Sequence, residues 1–404
     1  MTQSDRHRGV RVLLAALGLA LCLLQPPTAQ AQAEDSRWIQ ANALTQSGRF
    51  ADALPLLEAL VADAPDAGVY RLELASVLLR LGQGQRARFH FAQARGGTLP
   101  PEARRTVEGL LAGLPLRSGW ERSLSFSIAP ESNPARGSSG FILINGVPVE
   151  VGTAGAGESG RSASLSTGAL YLHALSVRTG VFGGATLDYT ARSGPLEDTG
   201  TLRAQVGFRT IRGATRIEGA LRFSQHFVAE EPLAHGPGLT FNLTRPLGRR
   251  GTVAASVHLD RLQYRDIPGL DGTDSGVTLG YVHALSPATR LSFALGLGAR
   301  NAVRVGSSTR TVTQSVGIDH AFRGGLSLGA TVTRSRFRRD APTGFFTVTQ
   351  SDRRDALALR VSHARINLYG FAPVLELARE RQDSNIPLQR YDNTRAALTF
   401  TRRF

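Results

Sequence analysis

From Trp120 to Phe404 the chain alternates apolar and polar residues with a period of two. Successive side chains of a strand point to opposite faces, so this alternation predicts β-structure. Leu291, Phe293, Leu295 and Leu297 share one parity, against Ser292, Ala294, Gly296 and Gly298. Leu326, Leu328, Ala330 and Val332 do the same against Ser327, Gly329, Thr331 and Thr333. Fourteen segments carry the pattern, near 120–129, 162–175, 177–192, 198–211, 214–228, 235–247, 251–264, 274–285, 288–303, 308–322, 325–338, 351–364, 371–383 and 391–404. Single-chain bacterial membrane barrels have even strand numbers, short turns at one end and longer loops at the other. Here short connections (Pro287-Ala288, Arg323-Gly324-Gly325) alternate with long ones at 130–161, 229–237, 265–273 and 339–350. The reading is a 14-stranded antiparallel transmembrane β-barrel over 118–404, rather than a soluble sandwich.

The charges follow the same parity. Asp188, Arg203, Arg209, Glu218, Arg222, Asp260, Arg300, Arg360, Glu376 and Glu380 lie on the polar face of their segments. An arginine facing lipid at the midplane costs ~2–4 kcal/mol, whereas a wet lumen accepts it at little cost. These residues are therefore expected to line the lumen. They serve there as bracing ion pairs or as the lining for a passing polymer, and bracing is the plainer role for any one of them.

The last segment, Tyr391–Phe404, sets Ala396, Leu398 and Phe400 against Asn393, Arg395, Thr399 and Thr401. It resembles the closing strand of bacterial outer-membrane barrels, in which a terminal Phe is read by the barrel assembly machinery. Phe400 and Phe404 carry that likeness, and Arg402 departs from the usual apolar residue. The resemblance implies the assembly machinery and outer-membrane lipids as partners.

Residues 1–31 read as a secretory signal. Arg6, Arg8 and Arg11 precede the apolar run Val12–Leu24, and Ala29-Gln30-Ala31 offers a cleavage site. The single cysteine, Cys22, lies within this leader, so no disulfide is expected beyond it. The formal charge is +15, and all 47 basic residues are Arg. That composition points to a GC-rich genome before nucleic-acid binding, and no nucleic-acid partner is expected.

Between leader and barrel, residues 34–117 repeat themselves. Leu44, Gly48, Ala53, Leu57 and Leu60 recur as Leu78, Gly82, Ala87, Phe91 and Ala94, the spacing of tetratricopeptide repeats. A third helix over 102–114 is expected to cap the stack, with the helices packing on one another rather than on the strands. In this register Trp38, Asn42, Gln46, Leu72, Ser76 and Arg80 face the concave side and form a candidate partner-docking surface. Packing of the first repeat is an equal role for Trp38.

Leader, repeats and barrel together resemble the surface lipoprotein assembly modulator (Slam) family. Glu131-Ser132-Asn133 after the first barrel strand is similar to that family's acidic-Ser-Asn turn. Gly370-Phe371-Ala372-Pro373, Asp383-Ser384-Asn385 and Tyr391 have the spacing of its last two strands. The resemblance implies an outer-membrane translocon with its repeats in the periplasm. Such a translocon exports surface lipoproteins or soluble proteins that end in a small barrel-like domain, and periplasmic chaperones attend them. Exopolysaccharide export and a passive porin are the alternatives. No catalytic, cofactor or metal site is expected, because His226, His258, His283, His320 and His363 stand one to a strand with no nucleophile motif or metal-ligand spacing.

Overall fold

The structure, a computed structural model, describes residues 36–97, 107, 116–144, 147–152, 157–194, 196–343, 346–366, 368 and 371–403. The expected leader at 1–31, Phe404 and, apart from Val107, the helix expected at 102–114 lie outside the described residues.

Four helices come first: α1 (Ser36–Gln46), α2 (Phe50–Asp63), α3 (Gly68–Arg80) and α4 (Gly84–Ala94). Gly48 and Gly82 close α1 and α3, and each has φ of +76°, a conformation that glycine enters without steric cost. The repeated small and apolar positions meet inside: Ala53, Leu57, Leu60, Leu78, Ala87, Phe91 and Ala94 are all buried. Losing Phe91, 1 % exposed, to Ala would cost about 3–5 kcal/mol.

The strands are β1 (Gly119–Glu131), β2 (Ser139–Ile144), β3 (Val147–Gly152), β4 (Gly160–Ala174), β5 (Thr179–Arg192), β6 (Thr199–Arg212), β7 (Thr215–Val228) and β8 (Glu231–Leu247). They continue as β9 (Gly251–Tyr264), β10 (Gly272–Ala284), β11 (Thr289–Ala302), β12 (Thr309–Ala321), β13 (Leu326–Arg339), β14 (Ser351–His363), β15 (Ala372–Ser384) and β16 (Tyr391–Arg403). Strand β1 and strands β4–β16 form one closed antiparallel barrel of fourteen strands, β1 pairing with β16. Closure satisfies the backbone of every strand without water, which a hydrocarbon environment demands.

Register fixes the two faces. Trp120, Phe126, Val181, Leu202, Phe223, Leu239, Leu259, Leu279 and Phe293 are exposed on the outside. The opposite parity faces the lumen. Two connections differ from the sequence reading. The 130–161 connection contains the β2–β3 hairpin, whose six-residue strands are too short to stand out in the periodicity. The 229–237 connection is only Ala229 and Glu230, at φ +49° and +66°, the mirror-image turn suited to a two-residue hairpin. Strand β8 thus starts at Glu231; Pro232 and Pro237 disguised its first residues as loop.

The seam joins β1 to β16 from Ser123 opposite Arg403 to Ile128 opposite Leu398, and resumes at Glu131 opposite Arg395. It lapses at Ala129 and Pro130, where the proline has no N–H to give. Outside, Phe126 stacks on its partner Phe400, with ring centroids 4.8 Å apart, and Phe371 lies edge-on at 5.6 Å. At the end far from the helices, Glu131-Ser132-Asn133 clips the seam. Ser132 N–H donates to the Thr394 carbonyl at 2.9 Å, and Thr394 N–H to Ser132 Oγ at 2.8 Å. Asn133 N–H donates to Asn393 Oδ1 at 3.0 Å, and Asn393 Nδ2 to Glu131 Oε2 at 2.9 Å.

Candidate functional site

The helices do not stack only on one another; they are seated on the barrel's short turns. Arg95 donates to the carbonyl oxygens of Gly248 and Gly251 in the β8–β9 turn. Ser286 of the β10–β11 turn donates to Asp66 at 2.8 Å. Arg365 of the β14–β15 turn pairs with Asp63. The Arg37 bond to Asp63, and Arg365 beside it, hold that carboxyl below its usual range. Gly96 lies so close to the β10–β11 turn that a Cβ there would stand 2.5 Å from the Ser286 carbonyl oxygen. Five shared repeat positions specify how helices meet, but say nothing about where the stack docks, so the sequence reading missed this contact.

Helix α4 faces the mouth of the lumen. Phe89 sits 5.4 Å from the Arg290 guanidinium on β11. Arg88 lies in the field of one cluster made of Arg216, Arg209, Glu218 and Glu121. Burial, then those two arginines, lower Arg88 to about 10, still charged at neutral pH. Burial, then Arg71 and Arg86, push His90 down to about 3, and its Nδ1 has no partner among the described residues. Just inside the mouth, Leu116 packs on the inward-facing Leu172, Phe182, Ile211 and Ala220. Its N–H donates to the Val177 carbonyl at 2.9 Å, which ties the linker to the β4–β5 turn. Helix and linker therefore both lie at the entrance.

The register sets all ten lumen candidates on the inward parity. At the mouth, Arg209 is 5 % exposed; it donates to Glu121 at 2.6 Å and to Glu218 at 2.5 Å, and lies over the Phe182 ring. Arg216 joins Glu218 at 2.8 Å. On the facing wall Arg360 and Arg290 share Asp319 at 3.4 and 3.0 Å, and Glu376 stands opposite Arg360 in register. Midway, Arg203 pairs with Asp188 at 2.8 Å, and Arg222 with Asp260 at 2.7 Å. Towards the far end Arg300 donates to the Leu270 carbonyl at 2.9 Å, and Glu380 accepts from Tyr391 at 2.5 Å. Nine of these ten thus have a bonded partner, the geometry of a braced wall. His258 and Asp260 share the inward face of β9, two residues apart, and His258 meets Asp274 at 3.2 Å.

On the helical module Trp38 is half-buried with its ring 5.0 Å from Tyr70, and Leu72 packs against the same core. Packing is therefore what the structure gives these two. Asn42 and Ser76 are partly exposed, and Gln46 and Arg80 are exposed. Phe400 holds the outer face of the seam.

A profile of the surface lipoprotein assembly modifiers matches residues 190–404, and a tetratricopeptide repeat profile matches 44–97. No curated protein matches the chain. Similar solved structures include the TodX monoaromatic hydrocarbon channel, as a ΔS2 mutant, at 11 % identity and a TM-score of 0.41, covering 73 % of this chain and 94 % of that one. The outer-membrane channel DcaP of Acinetobacter baumannii has 12 % identity and a TM-score of 0.39, with coverage of 71 % and 97 %. A bacterial polysaccharide outer membrane secretin has 11 % identity and a TM-score of 0.39, with coverage of 70 % and 98 %.

Proposed function

The chain belongs to the surface lipoprotein assembly modifier family, an outer-membrane barrel engaged in surface lipoprotein assembly with its helices on the periplasmic side, and from that premise we propose that it is the conduit through which a partner protein leaves the periplasm. The observation that carries this reading is the seating of α4 at the lumen entrance, with Arg88 and Phe89 turned to the charged wall. A client held by the helices is thereby presented at the pore and not at a distance from it. The exposed polar residues Asn42, Gln46, Ser76 and Arg80 are the docking positions on this reading. The paired lumen charges keep the wall rigid and wet, so a polypeptide slides past without finding an apolar surface to stick to. Periplasmic chaperones deliver the client unfolded, and the barrel assembly machinery inserts the translocon itself. The chain acts as a conduit and not as a catalyst.

The test is a deletion strain. A specific lipoprotein should remain in the periplasm while other outer-membrane proteins stay at normal levels. An unchanged surface and secreted proteome, with loss of a capsule instead, refutes the reading.

A further inference from the structure

The apolar belt on the outside of the barrel is not level. On β5 outward apolar positions run from Val181 to Ala191, and on β11 from Leu291 to Ala299. On β13 they run only from Leu326 to Val332, on β14 from Val361 to Leu357, and on β15 from Pro373 to Leu377. At about 3.3 Å per residue and a tilt near 40°, the β5 stretch rises roughly 25 Å, the height of an ordinary barrel belt. The stretches on β13–β15 rise only roughly 10–15 Å by the same measure. All begin within about three residues of the periplasmic turns, so the deficit lies on the extracellular side.

What replaces the missing belt is charge, mixed Asp and Arg on β14 and β15 and arginine alone on β13. Above Val332, β13 presents Arg334, Arg336 and Arg338 outward, all exposed. Arg334 is answered by Asp355 at 2.6 Å. Arg336 and Arg338 have no ion pair among the described residues. Each instead stands opposite another arginine, one that a carboxylate already holds: Arg336 faces Arg353 on β14, paired with Asp383 at 3.1 Å, and Arg338 faces Arg310 on β12, paired with Asp340 at 3.5 Å. Those carboxylates answer Arg353 and Arg310 but leave Arg336 and Arg338 facing like charge, an arrangement that destabilises a sheet. Two such oppositions side by side, on the outer face of a membrane barrel, fit anions that bridge the pairs.

We propose that Arg336 and Arg338, with Arg353 and Arg310 beside them, hold phosphate groups of outer-leaflet lipid headgroups. The lipid surface is drawn down along β13–β15 to meet them, and the bilayer thins on that side. Arginine suits this role because its fork takes two phosphate oxygens at once. The site is independent of what passes through the lumen.

The full-length protein in detergent is titrated with diphosphoryl lipid A and with its dephosphorylated counterpart, and bound lipid is read by native mass spectrometry. The double variant Arg336→Gln/Arg338→Gln is compared with wild type. A second double variant, Arg212→Gln/Arg245→Gln, removes two outward arginines at the periplasmic end. Each arginine near a headgroup surface is worth about 1 kcal/mol, so the first variant should bind diphosphoryl lipid A roughly thirtyfold more weakly. The second should bind like wild type, and Arg336→Lys, which keeps the charge but loses the fork, should bind between wild type and the glutamine variant. Heat-modifiability on gels shows whether each barrel is folded; if the double variant is not, Arg338→Gln alone carries the test, at about fivefold. Equal binding of phosphorylated and dephosphorylated lipid overturns the proposal, as does equal binding by wild type and the first variant. If that variant keeps lipid A but loses capture of a purified surface lipoprotein, the face belongs to the substrate instead.

Discussion

Asn393 bonds the outer end of the seam with both halves of its amide, and replacing it with Ala isolates that contribution. The residue is 3 % exposed, so water does not reach the broken bonds without an opening. Its Oδ1 accepts the Asn133 N–H at 3.0 Å, and its Nδ2 donates to the Glu131 carboxylate at 2.9 Å. A neutral hydrogen bond contributes about 1 kcal/mol and one to a charged group ~1.5–3 kcal/mol. Glu131 keeps Arg395 and Arg136 at 3.6 and 3.7 Å, which places the second value near its lower end. The sum is about 3 kcal/mol, or roughly a hundredfold in local opening. Hydrogen exchange on the protein in vesicles reads this directly. Amides of 131–133 and 391–395 should exchange about a hundredfold faster in Asn393→Ala, while β10 and β11 on the opposite wall stay unchanged. Unaltered exchange at the seam refutes the reasoning. A uniform rise around the barrel also refutes it, because the loss would then be global.

Other outcomes follow from the mouth and the module. Arg209→Met should destabilise the barrel by about 3 kcal/mol, since it removes charge-assisted bonds to Glu121 and Glu218 at a buried position and leaves Glu218 with Arg216 alone, whereas Arg203→Met, at a half-exposed pair, should change stability by less than about 1 kcal/mol; urea titration of the heat-modifiable band compares them. Gly96→Val should unseat the helices from the β10–β11 turn, seen as faster proteolysis of the module and weaker export with the barrel intact. His90 is held neutral by burial, so below its ordinary value of 6.5 the unfolded module takes up a proton that the folded one refuses until about 3. Stability of the helices should therefore fall as pH drops from 6.5 towards 3, at most about 1.4 kcal/mol per unit, and His90→Gln should flatten that dependence in a circular dichroism melt.

Much of the barrel was legible because a strand has only two faces. Once Leu202, Val206 and Phe208 are placed outside, Arg203 and Arg209 can only be inside, and pairing with Asp188 and Glu218 follows from adjacency. The repeats were legible for a similar reason: Gly48 and Gly82 mark the same turn twice. What periodicity does not encode is contact between distant surfaces. Arg95 and Gly96 sit just past α4 in no recognisable motif, yet they seat the module. Ala229 and Glu230 hid a tight turn because neither is a residue that favours positive φ. Periodicity sets Trp38 on the concave side, but it does not tell that Tyr70 packs on its ring.

Arg95 addresses its turn through main-chain oxygens, those of Gly248 and Gly251, and Gly96 lies against the main chain at Ser286. Neither contact reads a side chain on the barrel. These two contacts thus constrain the backbone path of the turns, while Ser286 and Arg365, which meet Asp66 and Asp63, constrain their side chains. A helical module that keeps Asp63 and Asp66 should on this account be transplantable onto a related barrel by exchange at the linker alone.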